Sequence, residues 1–272
     1  MPKLSVITVC YNEPNLEKTC ESIVNQTWQD FEWIVIDGGS NQETQKIWDK
    51  YKYRIDKFVS EDDNGVYDAM NKGIKFANGE YLNFLNAGDS YISDDTLKNI
   101  FENNNYSEDI FYGDEYYIDW NGKENYFSKM PQVIDKNFLI CSTIRHQSSF
   151  IKKQLFDKFG LYKTKYAIVS DWEKWINFFL HGASFKYINQ TVSLYDTKGR
   201  SFITGFQKLH KIERQEVLNE YFSEEEIKKA FEEYTDKYTF LEKIFSIKNS
   251  KASYHKIITF LGIHLKIKRR NK

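Results

Sequence analysis

Apolar positions recur along the first part of the chain with two alternating periods. Leu4 to Cys10 is a short β-branched run and Phe31 to Ile36 is a second apolar run. Between them Pro14 to Gln26 places Leu16, Thr19, Cys20 and Ile23 at helical spacing. Strand, helix and strand in that order make a parallel pair with a right-handed crossover. The alternation continues with a helix over Ile47 to Tyr53, a strand over Ile55 to Ser60, a helix over Val66 to Ala77 stopped at Gly79, and a strand over Tyr81 to Leu85. The pattern predicts an α/β fold: a doubly wound, mostly parallel sheet with helices on both faces and ligands beyond the carboxyl ends of its strands.

Further along, Ile110 to Phe127 reads as aromatic-rich strands broken by Asn121-Gly122, a hairpin signal. Short helices follow over Leu155 to Phe159 and Asp171 to His181, with strands near Phe150 and from Phe185 to Tyr195. Beyond Gly205 the chain turns to long charged helical stretches. The reading is a main body over residues 1–204, in two halves that meet near residue 90, followed by a helical extension over 205–272. After Glu242 no acidic residue appears, and Lys248, Lys251, Lys256, Lys266, Lys268, Arg269, Arg270 and Lys272 surround Ile257, Ile258, Phe260, Leu261, Ile263, Leu265 and Ile267. Such a basic amphipathic tail suits either an anionic lipid surface or a docked helix with a solvated basic end.

Charge and cysteine usage narrow the classes. The 38 Lys and Arg against 39 Asp and Glu give no global attraction to nucleic acid. Cys10, Cys20 and Cys141 are odd in number and widely spaced, which fits neither a disulfide framework nor a zinc site and points to a reducing cytoplasm. No apolar run is long enough to cross a bilayer, and Met1-Pro2-Lys3 followed by a strand does not read as a signal peptide. A cytoplasmic location follows as the expectation, with the tail allowing peripheral contact on the inner face of the membrane.

The chemical candidates are the residues that follow the four strands. They are Tyr11-Asn12-Glu13, Asp37-Gly38-Gly39-Ser40, Glu61-Asp62-Asp63-Asn64-Gly65 and Asn86-Ala87-Gly88-Asp89. At Asp37 two glycines let the backbone approach a ligand while the carboxylate accepts from an N–H or hydroxyl, as base or ribose recognition requires. The same four residues also read as an ordinary turn with Ser40 as a helix N-cap. Asp89 can bind a hard divalent cation that bridges phosphate oxygens, whereas Asn-Ala-Gly-Asp taken alone is a turn. The first loop lacks the Gly-x-Gly-x-x-Gly of a dinucleotide-binding dehydrogenase.

The whole run from Leu4 to Tyr91 resembles the bacterial family-two inverting glycosyltransferases of the GT-A fold. Ser5-Val6-Ile7-Thr8-Val9-Cys10-Tyr11-Asn12 is similar to their opening strand, Val35-Ile36-Asp37-Gly38-Gly39-Ser40 to their uridine-contact turn, and Ala69-Met70-Asn71-Lys72-Gly73 with Asn78-Gly79-Glu80-Tyr81 to their linking helix and next strand. Glu61 through Gly73 followed by Phe84-Leu85-Asn86-Ala87-Gly88-Asp89 resembles the polysaccharide-assembly branch. The chain departs from the Asp-x-Asp of most members, because Asn86 and Gly88 stand in the two Asp positions.

The resemblance implies a transferase that moves a sugar from a nucleotide-diphosphate donor, a UDP-sugar by family habit, to a glycan or lipid-linked glycan acceptor with inversion. It implies a nucleotide-binding half up to about residue 90 and an acceptor half over 91–204. Tyr11, Asn12, Glu13, Asp37, Asp63, Lys72 and Asn86 become donor-binding candidates, and Asp89 the ligand of Mn²⁺ or Mg²⁺. Ala167-Ile168-Val169-Ser170-Asp171-Trp172-Glu173 is similar to the segment whose Asp is the base, which makes Asp171 catalytic; by its residues alone Ser170 is a plain N-cap. His146, in Arg145-His146-Gln147-Ser148, resembles the branch's His-Gln pair and is assigned to donor or acceptor binding, against the plainer reading of a packed histidine. Arg200, in Lys198-Gly199-Arg200-Ser201, is similar to the loop that closes over the diphosphate, or else belongs to a solvated loop. Surface polysaccharide synthesis, capsule or lipopolysaccharide, is the implied setting. A catalytically silent nucleotide-sugar or glycan-binding protein is the alternative.

Overall fold

The computed structural model describes residues 1–118, 126–196, 206–249, 255–260 and 263–268. The chain forms two compact units, residues 1–134 with 143–217, and residues 135–142 with 218–272.

The first unit opens with β1 (Leu4–Cys10), α1 (Leu16–Val24), β2 (Phe31–Asp37), α2 (Gln42–Tyr51), β3 (Lys57–Ser60), α3 (Val66–Phe76) and β4 (Tyr81–Phe84). It continues through β5 (Ser90–Tyr91), α4 (Thr96–Phe101), β6 (Ile110–Ile118) and β7 (Tyr126–Ser128). After α5 (Lys136–Cys141), which belongs to the other unit, come a 3-10 turn at His146–Ser148, β8 (Ser149–Lys152), α6 (Lys153–Phe159), α7 (Ser170–Leu180) and β9 (Phe185–Asp196).

These strands form one sheet in the order β3-β2-β1-β4-β8-β6-β9-β5, with β7 on the edge of β6. β3, β2, β1 and β4 run parallel, β6 and β9 run parallel to each other, and β8 is antiparallel to both β4 and β6. The sheet is therefore mostly parallel. On one face Leu4, Val6, Trp33 and Val35 pack with Leu16, Cys20 and Ile23 of α1, Trp48 of α2 and Leu97 of α4. On the other, Ile7 lies against Gly73 of α3 so closely that a β-carbon there would come within 2.5 Å of its Cγ2, and Phe84 meets Phe156 and Tyr162 edge-on. Both faces are covered, so the central strands β1 and β4 are buried at every position rather than at alternate ones.

Two local expectations change. Helix α2 starts at Gln42, five residues ahead of the apolar spacing at Ile47, because Asn41 caps it by accepting from the Thr44 N–H at 3.0 Å. Ser40 is not the cap; its Oγ accepts from the Asn12 N–H instead. The Asn121-Gly122 turn lies outside the described residues, while β6 and β7 on either side of it pair antiparallel as a hairpin requires.

In the second unit, the helical stretches expected beyond Gly205 are α8 (Phe206–Tyr221), which crosses the boundary between units, and α9 (Glu224–Ile244). Lys136 of α5 pairs with Glu226 of α9 at 3.0 Å. The basic tail is not a helix. It forms the antiparallel strands β10 (Phe245–Asn249), β11 (His255–Phe260) and β12 (Ile263–Lys268). Ile263, Leu265 and Ile267 alternate with His264, Lys266 and Lys268, a period of two that suits a strand and that composition alone concealed.

Gly79 joins α3 to β4 where the backbone passes closest to β1. A β-carbon there would lie 2.5 Å from the Ser5 nitrogen and 2.7 Å from the Leu4 carbonyl carbon, neither of which can rotate away. Gly79→Ala is expected to lower unfolding stability by about 1–3 kcal/mol, the usual range for overpacking a rigid site. Urea denaturation checks this, and an unchanged midpoint would contradict it.

Candidate active site

The carboxyl ends of β1 to β4 bring their four loops side by side. Asn12, at φ 52°, is locked across to the start of α2: its Oδ1 accepts from the Asn41 N–H at 2.8 Å and its N–H donates to Ser40. Tyr11 beside it is half exposed. Asp37 turns inward. Its Oδ2 accepts from the Ser40 N–H at 3.0 Å, from Gln45 at 2.8 Å and from the Ser60 hydroxyl at 2.7 Å, and solvent reaches none of the residue. It organises the turn from within. Asp63 occupies the surface of that turn instead, because its Oδ2 fills the space that a β-carbon on Gly38 would take. Its Oδ1 accepts from the Gly65 N–H at 2.8 Å. Lys72 braces the same loop, pairing with Glu61 at 2.9 Å and donating to the Asp62 carbonyl.

Asp171 is the second residue of α7. Burial opposes its charge, but the His146 hydrogen bond, the positive charge His146 carries when protonated, the Tyr67 hydroxyl and the Trp172 N–H outweigh that and hold its pKa below the ordinary Asp value. Its Oδ1 accepts from Tyr67 at 2.7 Å, and its Oδ2 lies 3.3 Å from His146 Nδ1. Its place at the start of the helix favours the anion further. Ser170 is not an N-cap; Val169 holds that position, and the Ser170 hydroxyl is buried without a partner. The approach to the helix is held from α8, where Glu213 accepts from the Ala167 and Ile168 N–H groups at 2.8 and 2.9 Å.

His146 connects this carboxylate to the β4 loop. Its Nε2 lies 3.2 Å from Asn86 Nδ2, while the Asn86 Oδ1 is buried with no partner. Three residues on, Asp89 Oδ1 accepts from the Asp196 N–H at 3.0 Å, and the Asp196 carboxylate accepts from Asn15 at 2.9 Å. Burial pushes the Asp89 pKa well up, and Glu115, Asp196 and Glu13 push it further by like charge. Arg145 pairs with the fully buried Glu115 at 3.0 Å in a geometry that misses a hydrogen bond. Among the described residues no three His, Cys, Asp or Glu side chains are placed to hold an ion by themselves. A magnesium-type ion needs few protein ligands when a diphosphate supplies the rest, and Asp89 Oδ2 accepts no hydrogen bond from the described residues. The residues therefore fit a site completed by the ligand.

Sequence reasoning missed Tyr67, Asp196, Glu115 with Arg145, and Glu213. Asp196 was within reach, since it ends β9 as Asp37 ends β2. Tyr67 lay inside a quoted motif. Arg200 and its loop lie outside the described residues.

Because Asp89 has a higher pKa folded than unfolded, its ionised form disfavours the fold above that raised value, and the effect disappears below the ordinary value of 3.8, where both states are protonated. Asp89→Asn is therefore expected to raise the metal-free thermal midpoint by a few degrees at neutral pH and to leave it unchanged at strongly acid pH. A lower midpoint at neutral pH would contradict the reading; differential scanning fluorimetry across pH decides.

Comparison with known proteins places the fold and the family. The family model described as glycosyl transferase family 2 matches residues 5–171, from β1 to Asp171. A glycosyltransferase of PGL/p-HBAD biosynthesis from Mycobacterium bovis is 31% identical over 205 residues, covering 73% of this chain and 78% of that one. An uncharacterised glycosyltransferase from Methanocaldococcus jannaschii is 26% identical over 235 residues, covering 81% and 78%. Among solved structures, S. aureus TarS 1-349 in complex with UDP-GlcNAc superposes with TM-score 0.62 at 18% identity over 86% of this chain and 71% of that chain. The mannosyltransferase PcManGT from Pyrobaculum calidifontis, in complex with GDP-Man and Mn²⁺, superposes with TM-score 0.56 at 18% identity over 74% and 59%. With its GT-A fold and a family match spanning more than half its length, the chain belongs to glycosyl transferase family 2.

Proposed function

We propose that the protein transfers a sugar from a UDP-sugar to an acceptor hydroxyl with inversion, in the assembly of a surface polysaccharide. The observation that carries this reading is Asp171, a carboxylate kept ionised at the start of α7 and tied through His146 to the loop after β4. An inverting transfer needs one base and no covalent enzyme intermediate. The acceptor oxygen bonds to the anomeric carbon as the bond from that carbon to the diphosphate oxygen breaks, and the hydroxyl proton passes to Asp171.

Around that step the other residues bind and orient. Tyr11, Asn12 and Glu13 line the nucleoside pocket, with Asp63 at its floor taking the contact that Asp37, buried beneath, supports. Lys72 holds the Asp63 loop, Asn86 and His146 border the sugar and diphosphate, and Arg200, outside the described residues, is kept as a diphosphate-binding candidate by the resemblance alone. A divalent cation, Mn²⁺ or Mg²⁺, bound at Asp89 supplies positive charge to the departing diphosphate. Residues 1–90 hold the donor and residues 91–204 receive the acceptor. The UDP-GlcNAc and GDP-Man named for the two solved structures make a nucleotide sugar the donor to test first.

The acceptor is a glycan or a lipid-linked glycan, and the basic tail strands provide peripheral contact with an anionic membrane surface on its cytoplasmic side. The full chain is expected to sediment with anionic vesicles and a chain ending at residue 244 to remain in solution; equal sedimentation would exclude the tail. Asp171→Asn is expected to lower the transfer rate by about 10²- to 10⁴-fold, the range for removing a general base, with nucleotide affinity by calorimetry unchanged. Transfer at the parental rate would remove Asp171 from the role. A catalytically silent binder would instead release no nucleoside diphosphate from any sugar nucleotide, even before mutation.

A further inference from the structure

We infer that His146 is the positioning residue of the Asp171 base, fixed in one tautomer by Asn86. The inference rests on the reading of Asp171 as the base and concerns how that base is held.

We assign the tautomer from the Asn86 amide: with Nδ2, which can only donate, facing His146 Nε2 at 3.2 Å, Nε2 is the bare, accepting nitrogen. A neutral imidazole then carries its hydrogen on Nδ1, and that hydrogen points to Asp171 Oδ2 at 3.3 Å. With the Asn86 amide turned over, its oxygen would require a proton on Nε2, leaving either a lone pair or a full imidazolium opposite the Asp171 carboxylate. The first repels the carboxylate and the second lowers its proton affinity further. Asn86 thus gives the relay a single direction, from the β4 loop to the base.

The ring is held from its backbone as well. Asn83 of β4 donates to the Gln147 and Ser149 carbonyls at 3.1 and 2.9 Å, and the Tyr91 hydroxyl donates to Asn83 Oδ1 at 2.8 Å. This pins the 3-10 turn that carries His146 to β4, the strand that leads into the Asn86 loop. The side chain is 17% exposed, so the ring has little room to swing. The other oxygen of Asp171 faces the Tyr67 hydroxyl at 2.7 Å, whose one hydrogen is shared with the Ile168 carbonyl at 2.6 Å. Two donors from separate elements therefore fix the carboxylate plane, as orienting partners of a reactive group do. The departure from Asp-x-Asp gains a physical meaning here. An aspartate at position 86 would favour an imidazolium and take basicity from the group that must accept the proton.

Two measurements test this. In long-range proton–nitrogen correlation spectra of protein labelled at its five histidines, His146 is expected to show a protonated Nδ1 and a bare Nε2 at neutral pH, and Asn86→Ala to abolish that preference. A protonated Nε2 in the parent protein would overturn the inference. The second is steady-state release of nucleoside diphosphate, assayed with UDP-GlcNAc and GDP-mannose in the presence of Mn²⁺. His146→Ala is expected to lower kcat by about 10- to 100-fold, the usual loss for an orienting partner, with a smaller change in KM for the donor.

His146→Asn places an amide donor where Nδ1 stood and is expected to recover most of that loss, whereas His146→Gln, which reaches the place of Nε2, is not. If His146→Ala does not fold, the Asn and Gln variants decide. A Gln variant as fast as Asn, or a loss confined to KM, would overturn the inference. Asp171→Asn is the control. Activity in that variant would remove the base itself, whereas an inactive Asp171→Asn beside His146 variants at the parental rate would remove only the positioning role.

Discussion

An ionised carboxylate in a largely buried place is expensive to hold, and the arrangement around Asp171 is what makes it possible. The Tyr67 hydroxyl, the His146 ring and the first turn of α7 offset the desolvation of that charge, and together they leave its pKa below the ordinary value. Each of these groups comes from a different part of the chain. Tyr67 stands on α3, His146 on the turn before β8, and Asp171 on α7. The base is therefore present only when the sheet has closed β8 against β4 and the helices have docked on that face.

Asp89 shows the opposite balance within the same cleft. No cation offsets its burial, and Glu13, Glu115 and Asp196 add like charge. The protein keeps one carboxylate ionised and burdens the other with burial and like charge. Under the proposed function this contrast suits a proton acceptor and a seat for a cation, following the rule that paired acids take their functions from environments that push them apart. The parallel topology brings the Asp89 loop to the edge where β1 to β4 deliver their loops, and α7 with His146 brings Asp171 to it.

Much of this was legible in the chain. Strand and helix alternated clearly over the first ninety residues because β1 and β4 are buried on both faces, which writes them as largely apolar runs. The strand-end rule pointed to Asn12, Asp63, Asn86 and Asp89 as candidates and the resemblance to Asp171 and His146, and the structure links Asn86, His146 and Asp171 in one chain of contacts. What remained hidden was direction and partnership. Nothing in Asp37-Gly38-Gly39 says that the aspartate folds inward while Asp63, from the next loop, fills the space beside Gly38. Nothing near Ser170 says that the cap passes to Val169 and that Glu213, over forty residues on, holds the approach. Of the two readings left open for the tail, the docked helix gives way to strands, because a composition rich in isoleucine and lysine suits either until the spacing is counted.

The most direct measurement of the central claim is a crystal structure of the protein with an intact nucleotide sugar and Mn²⁺. The account predicts the nucleoside over Asp63, the diphosphate beside Asp89, and the Asp171 carboxylate on the face of the anomeric carbon opposite the diphosphate oxygen, within reach of an incoming hydroxyl. A donor bound with its anomeric carbon turned away from Asp171, or a nucleotide seated outside the ends of β1 to β4, would contradict it.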